Sequence, residues 1–301
     1  MHEFSTLLAK HARTVERRLD TLLNDQVQNG EIARPEILIK AMRYGVLNGG
    51  KRLRPFLVIE SAALFDVPAK HALDIACALE CVHCYSLIHD DLPAMDNDTL
   101  RRGKPTVHIA FDEATAILAG NALLTFAFEI IAHKALALSF ETRINLITAL
   151  AQSAGLGGML GGQMLDLEAE KKPQECSSSI VTLQRMKTAA LINFACQAGA
   201  IIGNAPKTLT QNLADFGTNI GLAFQLTDDL LDVTASTETL GKTAGKDETA
   251  HKATFVHLYG IEETQKKRDE LIAKAESLLH PFGTKAKPLQ QAARFSATRK
   301  N

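Results

Sequence analysis

Two aspartate clusters hold most of the chemistry this sequence can offer. The first lies in HCYSLIHDDLPAMDNDTLRRGKP, residues 83–105, where Asp90, Asp91, Asp96 and Asp98 crowd together and Arg101 and Arg102 follow. Unit charges about 4 Å apart repel by about 4 kcal/mol at a moderate effective dielectric, so a fold that gathers these carboxylates needs a cation. Pro93 cannot donate to a helical ladder and disfavours helix at the residue before it. The spacing therefore predicts a helix ending near Asp91 and a bend that returns Asp96 toward Asp90. Hard oxygen donors on a bend suit Mg²⁺, which takes one or two carboxylates and completes its shell with water and phosphate. The second cluster is FQLTDDLLD, residues 224–232. Asp228 and Asp232 are four apart on one helix face, with Gln225 one turn earlier, and like charges at that spacing again ask for a cation. A solvated acidic turn would be the plainer account of either cluster alone. Two of them on separate apolar stretches, with arginines beside the first, point to two walls of one cavity bridged by metal and a polyphosphate.

Such a site needs basic groups that grip phosphate without competing for metal. Lys51 and Arg54 lie three apart, expected on a common face, and Arg101-Arg102 directly follow the first cluster. Lys187, Lys242 and Lys252 are each flanked by Thr or Gly. Arginine grips phosphate bidentately and lysine supplies a point charge. Arg52 and Lys104 read as solvated side chains, and Asp98 as a bystander. His83 is seven residues before Asp90, nearly the same helix face, and reads equally as a cavity-lining group or a core histidine.

Composition narrows the classes. The chain has 301 residues and a formal net charge of −1, so no overall electrostatic footprint for nucleic acid is present. Its five cysteines show no secretory framework. Cys77, Cys81 and Cys84 fall at i, i+4 and i+7, one helix face, which favours core packing over zinc or redox chemistry for the CxxC. The glycines at 155–162 miss the dinucleotide spacing, because Leu160 stands where the last glycine is required, and Ser236 breaks a P-loop reading of Gly241-Lys242-Thr243. Close helix packing is the better use of the 155–162 glycines. The N-terminal stretch carries Glu3, Lys10 and Arg13 and does not read as a signal peptide. Residues 115–132 and 189–205 are apolar but interrupted by Asn121, Glu129, Asn193 and Gln197, as in helices buried in a protein core. A cytoplasmic protein is expected.

The elements that must position these groups read as helices throughout. Apolar residues recur at helical spacing over about 1–25, before Asn48, and over 56–65, 72–91, 108–138, 141–154, 163–169, 180–203, 209–233 and 261–279. No strand pattern, solenoid period or dividing linker stands out, so one all-α domain over 1–301 is expected.

GGKRLRP at 49–55, SLIHDDLPAMDNDTLRRGKPT at 86–106, GGQMLDL at 161–167, MKTAALI at 186–192, GLAFQLTDDLLD at 221–232, LGKTAGKD at 240–247 and HKAT at 251–254 together resemble the trans-isoprenyl diphosphate synthases. The likeness is strongest to their bacterial farnesyl diphosphate synthase (geranyltranstransferase) branch. It implies the isoprenoid synthase fold: one polyprenyl synthetase domain, an antiparallel helical bundle around a deep cavity, and a cytoplasmic homodimer. It also implies Mg²⁺ as cofactor, three ions per site with Mn²⁺ as a substitute, and isopentenyl and allylic diphosphates as partners, without nucleic acid or membrane insertion. Under it Asp90, Asp96 and Asp228 are the principal metal ligands, assisted by Asp91, Asp229 and Asp232. Arg101, Lys187, Thr188, Gln225, Lys242 and Lys252 hold the allylic diphosphate; Lys51, Arg54, His83 and Arg102 hold that of isopentenyl diphosphate. Asp90, Asp96, Asp228, Lys187 and Gln225 are the catalytic set. Tyr85, with Ser86, sets chain length, which implies farnesyl diphosphate by successive condensation with dimethylallyl and geranyl diphosphate. Geranylgeranyl diphosphate is the alternative product; a class I terpene cyclase or a non-catalytic subunit are alternatives of other classes. Family members commonly carry Asp at the position of Asn121 and Gly at that of Ala189.

Overall fold

Helical periodicity dominates the structure as it does the sequence. The computed structural model describes residues 2–171, 180–234 and 254–299. Its helices are α1 (His2–Leu22), α2 (Glu36–Leu47), α3 (Leu53–Ala63), α4 (Ala69–Asp90), α5 (Val107–Ala110), α6 (Glu113–Ala132), α7 (Phe140–Ala154), α8 (Met159–Lys171), α9 (Ile180–Gln184), α10 (Ala190–Ile202), α11 (Lys207–Thr234), α12 (Phe255–Leu278) and α13 (Lys287–Thr298). Side-chain caps stop the longer helices from fraying: Asp112 accepts from the Thr115 amide, Ser139 from that of Thr142, and Thr254 from that of His257.

The chain forms two compact units. One comprises 2–56 with 70–137, and the other comprises 57–69 with 138 onward. In the first, α4 is the central strut, with Ile75, Leu79 and Val82 buried along it. Phe56 receives Phe4 and His11 edge-on, each at 5.4 Å between ring centroids. Arg18 on α1 donates to Asp74 on α4 at 2.6 Å, and the Cys77 thiol faces the Val15 carbonyl at 3.9 Å. Cys77, Cys81 and Cys84 are all buried, as their spacing on one face implies. Cys176 lies outside the described residues. In the second unit α11 packs against α10 and α12. Asn193 on α10 donates to the Ala214 carbonyl of α11 at 2.8 Å.

Several boundaries differ from the sequence reading. Residues 100–105 make a two-stranded antiparallel hairpin, Leu100–Arg101 against Lys104–Pro105, where no strand was expected. Arg102 (φ 55°) and Gly103 (φ 74°) occupy its tip. Positive φ at both central residues is the backbone that joins tightly turned strands. A two-residue strand is too short to show alternation. The helix expected over 108–138 is broken at Phe111-Asp112 and ends at Ala132. α6 is also less covered than expected: 39% of its most apolar window is buried, and Ile117 and Leu118 face outward. By length and composition alone, α4 and α6 could cross a membrane.

Candidate active site

The first acidic motif sits where α4 stops. Asp91 still donates its amide to the Leu87 carbonyl at 3.1 Å, after which Pro93 forbids continuation. The Asp96 amide then returns to the Asp90 carbonyl at 2.8 Å, and the Asp98 amide to that of Asp91 at 3.1 Å. The bend read from Pro93 is therefore present and closes on the backbone of Asp90. Asp90 and Asp96 remain partly accessible. Asp91 turns inward: it is 3% exposed and receives the Arg101 guanidinium, with Nε at 2.8 Å and Nη2 also donating. Burial raises the Asp91 pKa, opposed by the Arg101 hydrogen bond and charge. Asp98, read as a bystander, accepts from Arg101 at 3.3 Å, and its carbonyl accepts from the Thr106 hydroxyl at 2.8 Å.

The basic segment 49–55 departs from the sequence expectation. α3 begins at Leu53, so Lys51 lies in the preceding loop rather than on a helical face shared with Arg54. Arg52, read as solvated, is 3% exposed and adopts φ 53°. Its Nη1 donates to Glu80 Oε1 at 2.6 Å and its Nη2 to the Val46 carbonyl at 2.6 Å. Glu80, the one charged residue in the apolar run 75–82, is the signal available in the sequence. Arg54 Nη1 lies 3.4 Å from His83 Nε2. Guanidinium can only donate, so that contact makes Nε2 the acceptor and puts the imidazole proton on Nδ1. Burial, then the charges of Arg54, Arg102, Arg52 and Arg101, hold the His83 pKa well below its ordinary value. Of these, Arg52 and Arg101 are themselves paired with Glu80 and Asp91, so Arg54 and Arg102 are the cations beside His83 that suit an anion. Arg102 itself donates to the Gly49 carbonyl. A side chain at Gly50 would meet that guanidinium at 2.6 Å, so Gly50 allows the contact.

Further back on α4, Tyr85 is 2% exposed and its hydroxyl has no hydrogen-bond partner among the described residues. Its ring meets His89 edge-on at 5.7 Å, and burial, assisted by the Asp90 charge, pushes the phenol pKa up to about 12. Ser86 donates to the His83 carbonyl at 2.8 Å.

In the second unit, Asp228 and Asp229 diverge. The Asp228 side chain is 40% exposed and pairs with Arg299, which also covers the Phe224 ring at 3.5 Å. Asp229 is 3% exposed; it accepts from Gln225 Nε2 at 2.9 Å and from the Phe255 amide at 2.8 Å. Both of its oxygens are thus engaged within the protein. Asp232 stays partly accessible. Gln225 in turn accepts from the Thr188 hydroxyl at 2.9 Å. Lys187 and Thr188 lie in a π-helical turn, Arg185–Ala189, a wide turn of the kind that often marks functional positions. Lys187 pairs with Asp166 of α8. Gly162 makes that pairing possible, because a β-carbon there would sit 2.2 Å from the Lys187 amide nitrogen. Of the 155–162 glycines, Gly161 and Gly162 serve close packing, against Met186 and Lys187, whereas a β-carbon at Gly157 would meet nothing within 4 Å. Ala189, where the resemblance implies glycine, rests against Gly221, at which a β-carbon would sit 2.7 Å from the Ala189 Cβ. Asp166 and Arg299 had been given no role. Asp166 is visible inside GGQMLDL, and Arg299 ends a stretch, Phe295-Ser-Ala-Thr-Arg299, that resembles the family's closing pattern only loosely. Lys242 and Lys252 lie outside the described residues.

Magnesium fits this donor set. Among the described residues no three His, Cys, Asp or Glu side chains gather to hold an ion unaided. An ion that keeps several waters and shares substrate phosphates needs only one or two carboxylates. Asp228 already draws a guanidinium as its counter-cation.

Comparison with known proteins agrees. The family profile described as "Polyprenyl synthetase" matches residues 35–280. The chain is 43% identical over 298 residues to a farnesyl diphosphate synthase of Haemophilus influenzae, covering 97% of this chain and 99% of that one. It is 40% identical over 283 residues to a geranylgeranyl diphosphate synthase of Cyanophora paradoxa, covering 94% and 93%. Among solved structures, a geranyltransferase from Helicobacter pylori complexed with magnesium and isoprenyl diphosphate superposes with TM-score 0.80 at 33% identity, covering 97% and 96%. The profile spans most of the chain, the relatives align nearly end to end, and the helices superpose. This chain therefore belongs to the polyprenyl synthetase family, the trans-isoprenyl diphosphate synthases: an all-α prenyltransferase of the isoprenoid synthase fold.

Proposed function

We propose that the chain condenses isopentenyl diphosphate with dimethylallyl and then geranyl diphosphate, releasing (2E,6E)-farnesyl diphosphate and inorganic diphosphate. The observation that supports this product is Tyr85: a buried aromatic ring on α4, five residues before Asp90, with its hydroxyl unpartnered. Buried phenols usually find a partner, and a ring facing an apolar chain-binding pocket would lack one. Filling that pocket with a ring blocks a further five-carbon addition by overpacking.

Asp90, Asp96, Asp228 and Asp232 are the carboxylates we assign to Mg²⁺. The inward-facing Asp91 and Asp229 hold Arg101, Gln225 and the start of α12 in place. When bound, Mg²⁺ supplies charge that stabilises the departing diphosphate. Arg101, Lys187, Thr188 and Gln225, with Lys242 and Lys252, bind the allylic diphosphate and offset the negative charge that develops as the carbon–oxygen bond ionises. Lys51, Arg54, His83 and Arg102 hold isopentenyl diphosphate so that its alkene attacks the allylic cation. Neutral His83 serves there as a donor through Nδ1. A proton is then lost from the new chain, with the released diphosphate as acceptor. Apolar side chains exclude water, which would otherwise capture the carbocation. The outward-facing Ile117 and Leu118 of α6 support a homodimer.

Chain-length analysis of the product made from isopentenyl and dimethylallyl diphosphates is the test. Farnesyl diphosphate is expected as the main product, and a predominance of geranylgeranyl diphosphate would overturn the chain-length reading. Tyr85→Ala should lengthen the product, and an unchanged product would remove Tyr85 as the limit. Asp90→Ala and Asp228→Ala should each slow turnover by orders of magnitude; near-normal rates in either would refute its assignment.

A further inference from the structure

We propose that Arg52 is a positioning residue for the isopentenyl diphosphate site, a buried strut that fixes Lys51 and Arg54 through Glu80. This rests on the reading in which Lys51 and Arg54 bind that diphosphate. The guanidinium of Arg52 is wholly enclosed and the Glu80 side chain is 2% exposed. Its contacts come from three helices besides the segment it belongs to: Glu80 of α4 at 2.6 Å, the Val46 carbonyl of α2 at 2.6 Å and Glu16 of α1 at 3.5 Å. No diphosphate can reach it, so it cannot bind substrate itself.

Two features tie this pair to the neighbouring basic groups. Arg52 holds φ 53°, a backbone region that residues with a β-carbon seldom occupy, and Gly49 (φ 81°) and Gly50 (φ 120°) stand just before it, separated only by Lys51. That reversal places Lys51 outside while Arg52 points inward. Glu80 and His83 are three residues apart, on neighbouring positions of one face of α4. Their partners, Arg52 and Arg54, are two residues apart on the facing segment. The segment thus rests on α4 at two rungs, Glu80–Arg52 and His83–Arg54, while Arg102 holds it from the other side at the Gly49 carbonyl. Of these, the Glu80–Arg52 rung is an ion pair with neither partner open to solvent. Substrate charge does not compete for it, and it sets the register of the second rung. Weakening it should loosen Lys51 and Arg54 together and leave the allylic side untouched.

The test compares steady-state kinetics of Arg52→Lys and Glu80→Gln with those of Lys51→Ala and Arg54→Ala, alongside melting temperatures. Arg52→Lys keeps the charge and loses the two-armed grip. Glu80→Gln keeps an acceptor and loses the charge, and it carries the test if the arginine variant does not fold. The KM for isopentenyl diphosphate is expected to rise about tenfold or more in both, with the KM for geranyl diphosphate within about twofold of wild type. A lowered melting temperature with both KM values unchanged would show a purely structural role and overturn the proposal. Equal rises in both KM values, or a loss confined to kcat, would overturn it as well. If Lys51→Ala and Arg54→Ala leave the KM for isopentenyl diphosphate unchanged, the site reading fails first. If they raise it and the Arg52 and Glu80 variants do not, only the positioning role fails.

Discussion

Replacing Gly162 by alanine puts a methyl carbon 2.2 Å from the Lys187 amide nitrogen and 2.6 Å from its Cα. Both are backbone atoms, so no side chain can swing aside. Ordinary contact begins near 3.4 Å, and α8 and the π-helical turn must part by about 1.2 Å. Overpacking of this kind costs about 1–3 kcal/mol, and an immovable neighbour places it at the upper end, about 3 kcal/mol. At about 2 °C per kcal/mol for a chain of this size, the melting temperature should fall by roughly 6 °C. The same separation pulls Lys187 from Asp166, which are paired across that contact, so the KM for the allylic diphosphate should rise while that for isopentenyl diphosphate holds. Gly157→Ala is the control, because a β-carbon there meets nothing within 4 Å. Calorimetry and initial-rate kinetics on the two variants decide the matter. A Gly162→Ala protein that melts within about 1 °C of wild type, with an unchanged allylic KM, would refute the close approach and the role it gives Asp166.

Four further outcomes are expected. Asp229→Asn removes one of two internal acceptors and should cost about 1–3 kcal/mol in denaturant unfolding; a loss of Mg²⁺ affinity without a loss of stability would return Asp229 to the metal. Arg299→Gln frees Asp228, whose side chain is 40% exposed. The pair is then worth no more than about 1 kcal/mol, so calorimetric Mg²⁺ affinity of the substrate-free enzyme should rise by at most about fivefold; a weaker affinity would show that Arg299 helps the metal. His83 has a folded pKa below its ordinary 6.5 because of burial and the neighbouring arginines. The unfolded chain therefore binds the proton first, so this contribution is intact above about pH 6.5 and is lost as pH falls toward the folded value; His83→Gln should flatten that acid limb in urea-midpoint measurements. Cys77, Cys81, Cys84 and Cys196 are buried, and burial raises every one of these thiols, Cys84 to about 12. They should resist a thiol reagent at pH 8 until the protein unfolds, and rapid native labelling of any of the four would contradict their packing.

How much was legible depended on whether a residue's task is local. The helix ending at Asp90 could be read because Pro93 acts on its own backbone, and the cysteine face because three positions share one helix. The 155–162 glycines read as packing residues, which holds for Gly161 and Gly162 and not for Gly157, and nothing local marks Gly162 as the one that meets Lys187, more than twenty positions away. Arg52 was misread for the same reason. An arginine among Lys51 and Arg54 looks like one more surface cation, and only Glu80, 28 residues on, makes burial affordable. The hairpin at 100–105 was missed because Arg102-Gly103 is an uncommon pair for a turn that favours Asn-Gly.

One geometric rule accounts for both Asp-Asp pairs. Neighbouring residues on a helix point about 100° apart, so two adjacent aspartates cannot both face one ligand. At each motif the first member stays accessible, Asp90 and Asp228, and the second turns inward, Asp91 and Asp229. A buried carboxylate is tolerable only with donors. Asp91 has the Arg101 guanidinium, and Asp229 has Gln225 and the Phe255 amide. The inward carboxylates thus hold Arg101 and Gln225, residues assigned to the allylic diphosphate. Losing an inward aspartate should therefore act first on diphosphate binding and stability, and losing an outward one on metal. On the metal assignment proposed for Asp90 and Asp228, the doubled aspartate pairs one ligand with one anchor instead of doubling the metal ligands.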